Sequence, residues 1–472
     1  MDADAGGLLR PRVPWLASLA LLAGLAARLA LALTKPVWAD EIFTLTLARR
    51  SAGAILEALR VDSGPPLHYL LSRLVLLPFP APGPADVVVR LLSVLAAVLH
   101  VPLLIRCARR AGVGDAWSGA ALWALFPVAV AYGAEGRGYA LASLFALAAF
   151  ERLQALRESP SPSRAIAVGL LAAAAVLTHY LAAFPLLGMA LAFARDVPGR
   201  RLVLAGGVGL AAVGPWIPIA LSQPRASMAW VVTPPFTDAA ARLLPNAVLG
   251  IDATGATSPF LLAAAVIGVL LLVLGVREGD KASSTVLAGL AAFFLAGLAV
   301  PQILLPERGA VLFLPLIALA LSRARRPAAE VAAATAAVFL LLQSPGWTQV
   351  SPGTELAARL APSVRAGAGI VAVGFWGPEL SYLFARDGLQ GTVTWFPSDV
   401  TRHPGWYAEE GIDEARLAAE AREAVRAGRG ERFFVLPIGS RASAELQTAI
   451  EPLGAVRVGR SPVTDVYRLR VP

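Results

Sequence analysis

Long apolar runs separated by short arginine clusters constrain this chain more than any other feature in it. Ala165 to Ala194 and Pro259 to Val276 contain no Asp, Glu, Lys or Arg, and roughly 20 such residues are enough to cross a bilayer as a helix. A soluble domain averages about 25% charged residues, whereas here the share is 15%, against 57% hydrophobic. The chain is therefore expected to be a polytopic membrane protein. Its net charge of +9 does not point to a nucleic-acid partner, because the arginines sit in the short links between apolar runs, as the positive-inside rule expects of cytoplasmic loops. The lone cysteine, Cys107, excludes an intramolecular disulfide framework and any Cys-based zinc cluster.

Arg10 and Arg12 precede an apolar stretch in the manner of a signal peptide. No small-residue cleavage site follows before Trp38-Ala39-Asp40-Glu41, so Pro14–Leu33 is expected to be the first span. With the two arginines inside, that span delivers Asp40 and Glu41 to the outer face. Residues 40–85 hold two amphipathic stretches, Ile42–Leu59 and Leu67–Leu77, expected to lie along the outer interface. Alternation then predicts spans at Val87–Ile105, Trp117–Tyr132, Tyr139–Leu156, Ala165–Thr178, Leu181–Ala194, Leu202–Leu221, Pro259–Val276, Ser284–Leu304, Val311–Leu321 and Ala328–Leu342. This arrangement of about eleven spans puts every dense arginine cluster on the inner side.

From about Ser344 the composition changes to that of a soluble unit. Short apolar runs at Ile370–Phe375, Thr392–Phe396 and Phe433–Pro437 read as strands, and they alternate with helical stretches at Glu379–Arg386, Glu414–Ala427 and Ala442–Leu453. The expected fold is an all-α polytopic membrane domain over residues 1–344, followed by a small extracytoplasmic α/β domain over residues 345–472. The setting is a cell membrane.

The polar residues that suggest chemistry gather at the outer ends of the spans. Asp40 and Glu41 form a carboxylate pair just beyond the first span. A carboxylate in a partly dehydrated pocket can take the proton of an acceptor hydroxyl or amine; Asp40 could equally be a helix N-cap. In Gly133-Ala134-Glu135-Gly136-Arg137-Gly138-Tyr139, Arg137 has the fork geometry to hold a phosphate and Glu135 could orient it or contact a sugar; an arginine snorkelling at a helix end is the plain alternative. Glu307-Arg308 opens the tenth span, where Arg308 could neutralise a phosphate leaving group or simply pair with its neighbour. His68 and His179-Tyr180 complete the set, although either histidine alone would suit an interfacial or core position. A divalent cation is compatible with these residues, yet no compact ligand spacing such as HxxxH occurs, so no metal and no cofactor is assigned.

Taken in order, these segments resemble the multi-span glycosyltransferases of the GT-C fold, specifically the family 39 or protein mannosyltransferase-like group. The matching residues are Trp38-Ala39-Asp40-Glu41, Pro65-Pro66-Leu67-His68-Tyr69-Leu70-Leu71, Glu135-Gly136-Arg137-Gly138-Tyr139-Ala140-Leu141, Thr178-His179-Tyr180, and Arg308 with Leu314-Pro315. The resemblance implies a polyprenyl-phosphate sugar donor held in the membrane and an acceptor entering from the outer face. It implies inverting transfer with Asp40 as base, and Arg137 or Arg308 stabilising the departing lipid phosphate. Glu41, His68, Glu135, Tyr139, His179 and Tyr180 are then expected among the substrate contacts. Gly64 departs from the pattern, since members often carry a His or another polar residue before the two prolines, and residues 345–472 lie outside the matching segments. The sugar and the acceptor (protein, lipid or glycan) are not encoded in any motif. A transporter or lipid flippase is the rival reading, but such proteins often show inverted repeats or helices broken near the bilayer middle, and neither is clear in this sequence.

Overall fold

A computed structural model describes residues 14–223, 259–304, 308–309, 311–323, 336–338, 351–389, 391–401 and 412–471, with positions 235, 237–238, 241–242, 245–246, 341 and 403 between them. Arg10, Arg12, Glu307 and most of the last expected span, Ala328–Leu342, lie outside the described residues.

The first span is α1 (Trp15–Thr34), followed by three short helices, α2 (Ala39–Ala48), α3 (Ala52–Ala58) and α4 (Leu67–Leu76). At about 1.5 Å per residue, the 10 residues of α4 cover only half of a hydrocarbon core roughly 30 Å thick. That segment is too short to cross. Next come α5 (Pro84–Arg110), α6 (Ser118–Leu125), α7 (Pro127–Tyr132), α8 (Tyr139–Glu158), α9 (Pro162–Thr178) and α10 (Ala183–Phe193). They are followed by α11 (Gly199–Val213), α12 (Ile217–Ser222), α13 (Pro259–Arg277), α14 (Lys281–Ala299) and α15 (Leu314–Leu321). Among the described residues, α1, α5, α8, α14 and the joined α11 and α12 are long and apolar enough to cross a membrane; the expectation of eleven spans is not reproduced as eleven long helices. The expected span Trp117–Tyr132 is two helices, because Pro127 cannot donate into a continuous ladder and Phe126 before it is extended, at φ −58° and ψ 118°.

Helices of the bundle approach closely where glycine faces backbone. A Cβ on Gly188 of α10 would overlap the Thr285 carbonyl of α14, and one on Gly289 of α14 would stand 2.9 Å from the Phe184 carbonyl of α10. Small residues of this kind let membrane helices pack by van der Waals contact, the interaction left when lipid is as apolar as the side chains.

The C-terminal part contains α16 (Pro352–Arg365), β1 (Gly369–Val373), α17 (Trp376–Arg386), β2 (Val393–Phe396), α18 (Glu414–Arg426), β3 (Gly430–Pro437), α19 (Arg441–Ile450), β4 (Val456–Arg460) and β5 (Thr464–Val471). The sheet order is β2-β1-β3-β5-β4, with β1 parallel to β2 and β3, and β5 antiparallel to β3 and β4. Strand side chains alternate between faces. Ile370, Ala372, Phe433 and Val435 pack with α16 and α17, while Val371, Val373, Phe434 and Leu436 pack with α18 and α19. The first of these cores continues without a break into Val37, Ile42, Leu45, Ala48, Leu76, Ala85, Val88 and Val89. The α/β unit and the helices around residue 40 therefore share one hydrophobic core.

Candidate functional site

Helix α2 starts at Ala39 with Trp38 as its N-cap and no side-chain cap, so Asp40 lies inside the first turn and caps nothing. Successive helical residues diverge by about 100°, and the two carboxylates consequently meet different surroundings. Glu41 is fully buried. The Arg90 guanidinium grips it as a fork, Nε to Oε1 at 2.7 Å and Nη2 to Oε2 at 2.5 Å, and the Gly136 N–H donates to Oε1 at 2.8 Å. Arg90 also donates to the carbonyls of Ala32, Lys35 and Pro36. Glu41, expected among the substrate contacts, is thus sealed into a clamp that joins the end of α1, helix α5 and the 133–138 loop.

Asp40 faces open space, with its side chain 28% exposed. Its Oδ2 lies 3.8 Å from Arg137 Nε and 3.5 Å from Arg308 Nη2. Two opposite unit charges 4 Å apart attract by roughly 4 kcal/mol at an effective dielectric of about 20, so Asp40 draws in both guanidiniums, which repel each other, without a tight hydrogen bond to either. Arg137 also donates from Nη1 to the Tyr69 hydroxyl at 3.2 Å. The backbone of its loop is fixed by Ser93, whose hydroxyl lies 2.6 Å from the Glu135 carbonyl and 3.1 Å from that of Arg137. The Glu135 side chain pairs with Lys35 at 3.1 Å. Lys35 and Arg308 flank the Trp38 ring at 5.8 and 6.0 Å from its centroid.

Of the remaining expected contacts, His68 is buried with Nε2 3.3 Å from the Gly136 carbonyl. The Tyr139 and His179 rings lie 4.7 Å apart with their planes tilted by 39°, and His179 Nδ1 accepts from the Leu181 N–H at 3.3 Å. Tyr180 is turned into a different network. Its hydroxyl accepts from Trp216 Nε1 at 2.7 Å and donates to Gln223 Oε1 at 3.0 Å, while Gln223 Nε2 donates to the Leu59 and Gly64 carbonyls. Sequence reasoning missed Lys35, Arg90 and Arg28. Arg28 is buried in α1, donates to the Gly24 and Ala124 carbonyls and lies over the Trp123 ring. An arginine inside an apolar run was the available signal for Arg28 and Arg90, since such a residue must find a partner. Among the described residues, no three His, Cys, Asp or Glu side chains are grouped to hold a metal ion.

The C-terminal unit also reaches this region. Helix α17 packs on α2, and on it Glu379 is 3% exposed. Burial, and then the charge of Asp40, raises its carboxyl to about 7 from an ordinary 4.5.

The arrangement offers a partly exposed carboxylate beside two guanidiniums, a pairing suited to taking a proton while an anion forms next to it. No protein-family model matches the chain, and no curated protein matches it. Among solved structures, ArnT from Cupriavidus metallidurans in the apo state aligns over 96% of this chain and 97% of its own, with a TM-score of 0.61 at 15% identity. The apo oligosaccharyltransferase from Archaeoglobus fulgidus aligns over 96% of this chain and 74% of its own, with a TM-score of 0.50 at 11% identity. At this identity the likeness is one of fold: the chain has the GT-C fold.

Proposed function

We propose that this chain is a membrane glycosyltransferase that moves a hexose or pentose from a polyprenyl-phosphate donor to an acceptor on the extracytoplasmic face, with inversion at the anomeric carbon. The observation that carries the reading is Asp40 poised between Arg137 and Arg308, on a fold shared with a glycosyltransferase. ArnT, the neighbour of higher TM-score, is also described bound to undecaprenyl phosphate, a ligand of the donor's kind.

In this mechanism Asp40 accepts the proton of the acceptor hydroxyl or amine as that atom attacks the anomeric carbon. The bond to the lipid phosphate breaks, its electron pair leaves on the phosphate oxygen, and Arg137 or Arg308 stabilises the charge that forms there. Lys35 and Glu135 set the local field, and His68, Tyr139 and His179 wall the site. Residues 1–344 act as the transferase domain, with residues 345–472 as an extracytoplasmic unit over its outer face.

The test is turnover of a panel of polyprenyl-phosphate sugars by the purified protein in nanodiscs, wild type against Asp40→Asn. Removal of a general base is expected to lower the rate about 10²–10⁴-fold with donor binding retained. Undiminished turnover by Asp40→Asn would remove Asp40 as base, and a wild type that neither binds nor consumes any donor would favour a transporter.

A further inference from the structure

Three arginines converge on one buried carboxylate at the end of the bundle remote from Asp40. Glu151 of α8 is 1% exposed. Its Oε1 accepts from Arg106 Nη2 and from Arg110 Nε, each at 3.0 Å, and its Oε2 accepts from Arg152. Arg110 also pairs with Glu158. Arg106 lies sixteen residues beyond Arg90 on α5, about 24 Å along the axis, so the cluster stands near the opposite face of a hydrocarbon core roughly 30 Å thick.

One carboxylate needs one counter-charge, and Glu151 gathers three. Among the described residues, the guanidiniums of Arg106, Arg110 and Arg152 meet only the carboxylates of Glu151 and Glu158, which leaves one positive charge over. A guanidinium carries five N–H donors. Arg106, its side chain 55% exposed, spends one nitrogen on Glu151 and keeps the others for an outside partner. Its planar fork is the side-chain geometry that matches a phosphate.

The surface leading to the cluster identifies what carries the phosphate. On α5, Leu91, Leu95, Leu99 and Pro102 are exposed and are followed by Arg106 and Arg109, exposed as well. Steps of three and four residues put all six on one face of the helix, apolar along its length and cationic at its end. Inorganic phosphate would use the arginines alone, whereas a phospholipid also covers the apolar stripe. A zwitterionic head group would bring its own cation to the same arginines, so an anionic one fits better.

We propose that this end of the bundle binds the phosphate of an anionic phospholipid. Arg106, Arg110 and Arg152 are its donors, Glu151 is the group that gathers them, and an acyl chain lies along the exposed face of α5. Basic pockets between membrane helices take lipid head groups in this manner. The site is separate from the transfer chemistry and requires only that the chain crosses a membrane.

The test uses the full chain in nanodiscs of phosphatidylcholine doped with phosphatidylglycerol, with native mass spectrometry of the lipid that each variant retains. Wild type is expected to keep phosphatidylglycerol in preference to phosphatidylcholine. Arg106→Gln should lower that preference about fivefold, the share of one arginine at a membrane surface, and Arg109→Gln, on the same face but without a bond to Glu151, should lower it far less. Glu151→Gln separates a built site from a diffuse positive patch. It adds a net positive charge, so a patch would hold the anionic lipid more tightly, whereas the site should lose its preference because the guanidiniums are no longer gathered. Greater retention in Glu151→Gln, equal losses in Arg106→Gln and Arg109→Gln, no preference in wild type, or displacement of the retained phosphatidylglycerol by inorganic phosphate would each overturn the inference. If Glu151→Gln does not fold, the comparison of Arg106→Gln with Arg109→Gln still decides it.

Discussion

Neighbouring carboxylates at positions 40 and 41 are separated by one helical step, and that step decides which is structural and which is free to react. Glu41 is fully buried and its fork with Arg90 ties three segments together. Glu41→Gln leaves the Arg90 charge unpaired in the interior, so we expect a loss on the order of 3–5 kcal/mol, read as a large fall in the thermal midpoint in nanodiscs. Asp40→Asn, on a partly exposed side chain, should shift the same midpoint little while removing activity. Glu379 makes its own contribution to the pH dependence of stability. Its folded carboxyl titrates at about 7 against an ordinary 4.5, so the folded state holds the proton more tightly. Its contribution is present below pH 4.5 and is lost as pH rises toward 7, on the order of 3 kcal/mol across that window. Glu379→Gln should flatten that part of the midpoint-against-pH curve; an unaltered slope between pH 5 and 7 would refute the assignment. Asp40, Glu135, Arg137 and Arg308 were legible in the sequence because each is an ionisable residue at the end of an apolar run. Glu379 was not, since in one dimension it is an ordinary acidic residue of an amphipathic helix, and only the packing of α17 against α2 and the first turn of α16 buries it.

At the scale of elements, apolar runs located the long helices to within a few residues, α5, α8 and α14 among them. The runs could not report breaks. Trp117–Tyr132 has the length of one span, but the geometry required before Pro127 divides it into α6 and α7. The terminal hairpin β4 and β5 escaped notice because Val456–Arg460 carries two arginines and lies at the sheet edge, where it has no apolar pattern on both faces. Helix contacts supply their own prediction. Gly188→Leu would drive a side chain into the Thr285 carbonyl, separating α10 from α14 at a cost of typically 1–3 kcal/mol or more for overpacking. A lowered midpoint and faster proteolysis in the links flanking these helices are the expected results.

Across the whole molecule, the α/β unit and the helices bearing the site are continuous in their packing. Tyr382 of α17 donates to the Asp86 carboxylate at the start of α5, and the Arg50 guanidinium reaches the Thr401 carbonyl at 3.2 Å. Burial, and then the bond to Asp86, pushes the Tyr382 hydroxyl up. Tyr382→Phe removes a hydrogen bond to a charged group, worth about 1.5–3 kcal/mol, and should speed amide exchange across residues 376–386 while leaving the sheet protected. The sequence marked residues 345–472 as a separate domain because composition changes there, but composition cannot show that Val37, Ile42, Leu45 and Ala48 complete their burial against Leu356, Leu380 and Leu383. That shared core has a consequence for synthesis. A ribosome that has released everything up to residue 344 has made Arg90, Arg137 and Arg308, yet the face of α2 formed by Ile42, Leu45 and Ala48 still lacks its cover from Leu356, Leu380 and Leu383. The packing of the helix that carries Asp40 is thus completed by segments translated last.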